Sequence, residues 1–221
     1  MLHSWNLSPE EAIALQKRLA SKVALKPLPE EITLVAGADV GYCRGRDAGV
    51  AAVAVYTFPG LELKELVRVK VRIAYPYVPG LLSFRETPLL LKAFEHLHEK
   101  PEVVLCDGQG VAHPRKFGLA SHLGLWLNLP TVGCAKTRLV GTHGNVGPNR
   151  GQYRSLLYRG DRVGVVLRTR TKVKPLYVSP GHLAEVDSSR KLVQHCCLKY
   201  RLPEPIRQAH LAVQRAVGEG A

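Results

Sequence analysis

The sequence predicts an α/β fold in which one mixed sheet is covered by helices, and two observations carry that prediction. Three extended apolar segments follow one another between residues 32 and 73 with only short turns between them, the pattern of an antiparallel meander. Beyond residue 80, short apolar runs alternate with helical spacing, the pattern of a parallel α/β section. No linker or internal repeat divides the 221 residues, so the whole chain, 1–221, reads as one domain large enough to bury a core without staples.

Each element has its own signature. Ser8-Pro9-Glu10-Glu11 supplies an N-cap hydroxyl, a proline at the first helical position and a glutamate three residues after the cap. Ile13, Leu15, Leu19 and Val23 then share a face until Lys26-Pro27-Leu28-Pro29 ends the helix. Strands are expected from Ile32 to Val40, Val50 to Tyr56 and Leu61 to Ile73, with turns at Gly45-Arg46-Asp47 and Pro59-Gly60. A loop, Tyr75-Pro76-Tyr77-Val78-Pro79-Gly80, precedes a helix that begins near Ser83 or Thr87 and runs to His98. Val103 to Asp107 and Thr131 to Ala135 read as buried strands, with a helix from Leu119 to Leu127 between them. Val163 to Leu167 and Leu176 to Ser179 form a further strand pair. Asp187 is expected to cap the next helix, Pro205 opens the last one, and the tail from Gly218 frays.

Composition narrows the classes of function. Apolar residues at 46% with 22% charged residues describe a globular chain rather than a disordered basic tail. No apolar run approaches the ~18 residues of a membrane span, and the first residues lack a signal peptide, so secretion and membrane insertion are not expected. The five cysteines, Cys43, Cys106, Cys134, Cys196 and Cys197, form no Cys-x-x-Cys pair and read as reduced thiols of a cytoplasmic protein. The 31 Lys and Arg against 18 Asp and Glu give a net charge of +13. The segment from Arg138 to Lys174 carries nine cations against Asp161 alone. A solvated surface would explain this; the sharper reading is a polyanion footprint.

Against that positive background the few aspartates stand out. Asp47, Asp161 and Asp187 suit turns or a helix cap. Asp39 and Asp107 instead interrupt or end apolar strands, where an unpaired carboxylate is costly to bury. Read singly, each could hydrogen-bond backbone at a strand end. Read together, two strand carboxylates would repel unless a hard divalent cation joined them, and Glu86 can supply a third oxygen ligand. A cation of that kind on a basic protein suits metal-assisted phosphodiester hydrolysis.

Longer motifs add a resemblance. Gly37-Ala38-Asp39-Val40-Gly41-Tyr42, the run from Tyr75 to Glu86, and Cys106-Asp107-Gly108-Gln109-Gly110-Val111-Ala112-His113-Pro114-Arg115 resemble the endonuclease V family of deoxyinosine-directed repair nucleases. Gly118-Leu119-Ala120-Ser121-His122-Leu123-Gly124, Gly133 to Leu139 and Tyr200 to Pro205 continue the match in order, so it covers the chain from about residue 8 to residue 213. The resemblance implies a ribonuclease H-like fold, a mixed five-stranded sheet flanked by helices on both faces. It implies Mg2+, with Mn2+ as a substitute, held by Asp39, Asp107 and Glu86, with Lys136 and His210 as further catalytic groups. Tyr77 and Pro79 fall in the family's strand-separating wedge. Gly80, Leu82, His113 and Gly118 fall around the extruded base. Gln109 is a departure, since many relatives carry histidine there.

By the same resemblance the expected reaction is hydrolysis of the second phosphodiester bond 3′ to inosine, leaving a 3′-hydroxyl and a 5′-phosphate. The expected partner is single- or double-stranded DNA containing deoxyinosine, with inosine-containing RNA as a further candidate, and nothing requires more than a monomer. Hypoxanthine presents an O6 acceptor and an N1–H donor, the reverse of adenine, and a mispaired base costs least to extrude. Two rivals are a ribonuclease H-like nuclease acting on junctions or inosine-containing RNA, and a binding protein that recognises inosine or branched DNA without cutting.

Overall fold

The computed structural model describes residues 2–43, 45 and 47–218; Arg46 of the expected first turn and the tail beyond Gly218 lie outside the described residues. Helix α1 (Pro9–Ala20) starts on the reciprocal cap its sequence requires: the Glu11 N–H donates to Ser8 Oγ, and the Ser8 N–H donates to the Glu11 carboxylate at 2.7 Å. Strands β1 (Leu34–Tyr42), β2 (Ala48–Thr57) and β3 (Leu63–Arg72) form the expected antiparallel meander. Helix α2 (Leu82–Phe94), strand β4 (Val103–Cys106), helix α3 (Leu119–Leu127) and strand β5 (Thr131–Ala135) form the parallel section. β4 runs parallel to β1 and β5 parallel to β4.

The sheet is wider than expected. Strands β6 (Tyr153–Tyr158), β7 (Asp161–Leu167) and β8 (Leu176–Pro180) extend it to eight, in the order β3-β2-β1-β4-β5-β8-β7-β6. The five strands implied by the resemblance are β1 to β5. β8 pairs antiparallel with β5 and covers an edge that would otherwise leave backbone groups unpaired. Among the strands of the extension, β6 had no sequence signal: it is a sheet edge whose burial does not alternate cleanly.

Strand alternation divides the core. Val35, Ala52, Ala54 and Val165 face helices α4 (Val186–Cys196) and α5 (Glu204–Gly218). Ala36, Ala38, Val53 and Val104 face α2 and α3. Helix α4 is not capped by Asp187 as expected. Glu185 occupies the cap position without a side-chain bond, and Asp187, inside the first turn, is drawn into a two-bonded pair with Arg162 at 2.7 and 2.9 Å. All five cysteines are free and buried. No helix among the described residues is long and apolar enough to cross a membrane.

Candidate active site

Three strand ends converge where β1, β4 and β5 finish. Asp39 lies within β1; the Asp107 N–H, one residue past β4, donates to Ala38 O; Lys136 follows β5 directly. The carboxyl end of a parallel section is where open α/β sheets place ligands. Helix α5 closes this end because β1 is bare on the face it packs against. A Cβ at Gly37 would lie 2.0 Å from Pro205 backbone, and one at Gly41 would lie 2.3 Å from the Val213 side chain. Between the two glycines on the same face, Asp39 meets His210, whose Nδ1 lies 2.7 Å from Asp39 Oδ2.

Asp39, Glu86, Asp107, Lys136 and His210 all line one cavity of about 630 Å³. Lys136 Nζ donates to the Asp107 carboxylate. Ligand atoms of Asp39, Asp107 and His210 lie within 4.8 Å of one another, a grouping that does not include Glu86. Glu86 is instead engaged by Tyr42, whose hydroxyl donates to Oε1 at 2.7 Å while the Arg85 guanidinium stacks on its ring. Sequence reasoning gave Tyr42 no role; its one signal was its place directly after Gly41, at the end of the Gly37–Tyr42 motif.

Negative charge is crowded here. Burial, reinforced by Asp107, pushes Asp39 up to about 6 despite its bond to His210. Burial pushes Glu86 up to about 8, with Asp39 and Asp107 adding to the rise and the Tyr42 bond opposing it. Burial and the neighbouring Glu86 raise Tyr42 as well. Two close carboxylates with an imidazole beside them form a donor set suited to a hard divalent cation, which would relieve the mutual repulsion.

A second cavity, of about 150 Å³, is lined by Tyr77, Gly80, Leu82, His113 and Gly118, together with Ser83, Gln109, Leu119 and Leu139. Pro79, expected with them, is exposed beside the cavity rather than part of its lining. Tyr77 is 68% exposed, on a loop stiffened by Pro76 and Pro79. Gly80 has φ +79°, and a Cβ there would lie 2.6 Å from Arg115 Nη2. Its carbonyl accepts from Gln16 at 3.1 Å, His113 at 3.1 Å and Arg115 at 2.8 Å.

The Arg115 N–H donates to His113 Nδ1, so Nε2 carries the proton bonded to Gly80. Burial, and then Arg115, lower His113 to about 4, and the imidazole is a neutral wall of the cavity. Gln16, fully buried on α1, also donates to Phe117 O at 2.7 Å. It escaped the sequence reading because a glutamine in an amphipathic helix looks like surface.

Two bonds fix the segment carrying Lys136. Arg201 Nη2 donates to Lys136 O and to Pro175 O, each at 2.6 Å. Gln109 Nε2, beside the smaller cavity, donates to Thr137 O at 3.0 Å.

The family model described as Endonuclease V matches residues 17–211. An endonuclease V of Dehalococcoides mccartyi is 50% identical over 216 residues, covering 98% of this chain and 97% of its own length. Among solved structures, the Streptomyces avermitilis endonuclease V superposes with a TM-score of 0.93 at 42% identity, covering 98% of this chain and 96% of that one. The Ciona intestinalis endonuclease V, in complex with a 23-mer DNA containing an inosine followed by a ribo-adenosine, superposes with a TM-score of 0.87 at 25% identity, covering 97% of this chain and 100% of that one. With the model spanning most of its length and a relative at half identity over nearly all of it, the chain belongs to the endonuclease V family.

Proposed function

We propose that the protein is a cytoplasmic, monomeric DNA repair endonuclease that recognises deoxyinosine in single- or double-stranded DNA. It hydrolyses the second phosphodiester bond 3′ to the lesion and leaves a 3′-hydroxyl and a 5′-phosphate. The convergence of Asp39, Asp107, Lys136 and His210 on one cavity, with a separate glycine-walled cavity behind an exposed tyrosine, carries this reading. The Ciona relative bound to inosine-containing DNA supports the substrate class, and the ribo-adenosine after its inosine keeps inosine-containing RNA as a second substrate.

Asp39 and Asp107, with Glu86 nearby, would hold Mg2+, and Mn2+ suits the same donors. When bound, the cation supplies Lewis-acid polarisation of the scissile phosphate. Lys136 sets a positive charge against the pentavalent transition state and is kept from wandering by the Arg201 and Gln109 bonds to its segment. His210 is bonded through Nδ1 to Asp39, and its second ring nitrogen, which bonds to none of the described residues, would orient water or take a proton from it. Tyr77 enters the stack where the base has left, and two prolines make that entry cheap in entropy. The neutral His113 and the Gly80 carbonyl network hold the pocket wall against the extruded base.

Matched DNA and RNA strands with and without inosine, incubated with Mg2+ or with EDTA, test the reading. Inosine-dependent, EDTA-sensitive cutting is expected. Equal cutting of inosine-free strands returns the protein to a general nuclease, and binding without product returns it to a recognition module.

A further inference from the structure

Strand β3 carries a row of cations in register with the active-site strand. Asp39 of β1 pairs with Ala52 of β2, which pairs with Arg68 of β3; Gly41 pairs with Val50, which pairs with Lys70. Arg72 follows one step further on, opposite Ala48. Partners across a sheet share a face, so Arg68, Lys70 and Arg72 project on the same side as Asp39, beyond the flank of α5. All three are exposed. The intervening β3 residues Val67, Val69 and Val71 pack into the opposite layer with α2, and Glu65 turns to that layer too, where it binds His98. The cation face is therefore free of the acidic side chain of its own strand, and among the described residues no carboxylate pairs with Lys70 or Arg72.

Successive members of the row are about 6.8 Å apart, and β3 lies about 10 Å from β1. That repeat is close to the step between neighbouring phosphates along one strand. Arg72 stands at the catalytic end, level with the last residues of β1, and the chain runs directly from it into the Tyr77 loop.

Resting on the function proposed above, we infer that the Arg68–Lys70–Arg72 face of β3 is a track for the phosphate backbone of the DNA flank leaving the catalytic cavity. Short substrates that end at the cavity would not reach it; longer ones would.

The Lys70→Gln/Arg72→Gln double variant tests this, with Kd measured against salt for inosine-containing duplexes of short and long flank. Loss of two phosphate contacts should flatten the slope of log K against log[salt] by about 1–2 on the long duplex and leave the short one unchanged. The rate of cutting at saturation should stay at the wild-type value, and the charge-preserving Lys70→Arg/Arg72→Lys variant should restore the slope. An unchanged slope on the long duplex overturns the track and leaves the cations as guards of an exposed sheet edge. A loss equal on both duplexes also overturns it, because the effect then belongs to the cavity. Should wild-type protein show the flank-dependent slope without preferring inosine, the lesion reading fails while the track stands.

Discussion

The two halves of the sheet handle positive charge in opposite ways. The extension around β6–β8 holds the densest cation run in the sequence, yet much of that charge is committed to the fold. The Arg168 guanidinium donates to the carbonyls of Gly147, Val146 and Val173, Arg150 donates to those of Gln194 and Cys197, and Arg162 is paired with Asp187. In the half built from β1 to β5, several cations stand instead beside the two cavities. Lys136 meets Asp107, Arg115 braces Gly80 and the β3 row shares the face of Asp39. The lesson is that charge density along a sequence locates arginines without saying what they do. In the extension they replace missing backbone partners in long loops.

The sharpest break between the halves should come from the carboxylates. Asp39→Asn and Asp107→Asn should each cut at least about 10³-fold more slowly while still binding inosine DNA, because several kcal/mol of charge stabilisation go with the cation. Full activity in either variant removes the metal assignment. Lys136→Ala should cost roughly 10²-fold in kcat with little change in KM, read from saturation kinetics.

Arg168→Ala should do the reverse. Three carbonyls lose a charged donor, so stability should drop by roughly 2–4 kcal/mol by denaturant titration, with kcat at low temperature unchanged. A variant that loses kcat without losing stability would place Arg168 in the functional half.

A pH series sharpens the contrast further. Asp39 and Glu86 hold protons in the fold that the unfolded chain releases near pH 4, so their contribution is present at low pH. It is lost as pH rises through about 6 and then about 8. The Tm of metal-free protein should therefore fall by several degrees between pH 5 and pH 8, and Mg2+ should raise Tm more at pH 8 than at pH 5. A flat profile would mean the site carboxylates are better solvated than their burial implies. Smallest of all, Arg162→Ala breaks a largely exposed pair and should cost no more than about 1 kcal/mol.

Legibility in the sequence followed the same division. The capped first helix, the meander and the two buried parallel strands were readable because period and punctuation agreed. Asp39 and Asp107 were readable because burying a carboxylate in an apolar strand demands a reason. His210 was different: a histidine on an amphipathic helix has no local signature, and only the family resemblance singled it out. Tyr42 and Gln16 act through partners 44 and 64 residues away, which no local pattern encodes. Strand β6 was hidden by its edge position, and Asp187 was misread because a guanidinium on β7 competes for the carboxylate that a helix cap would use.

The most direct test is a nucleotide-resolution map of the cut in a duplex carrying one inosine, made with wild-type protein and Asp39→Asn in Mg2+. The wild type should give one product, ending in a 3′-hydroxyl at the second bond 3′ to inosine, and the variant none. Cuts scattered through inosine-free sequence, or the same product from Asp39→Asn, would contradict the proposed function.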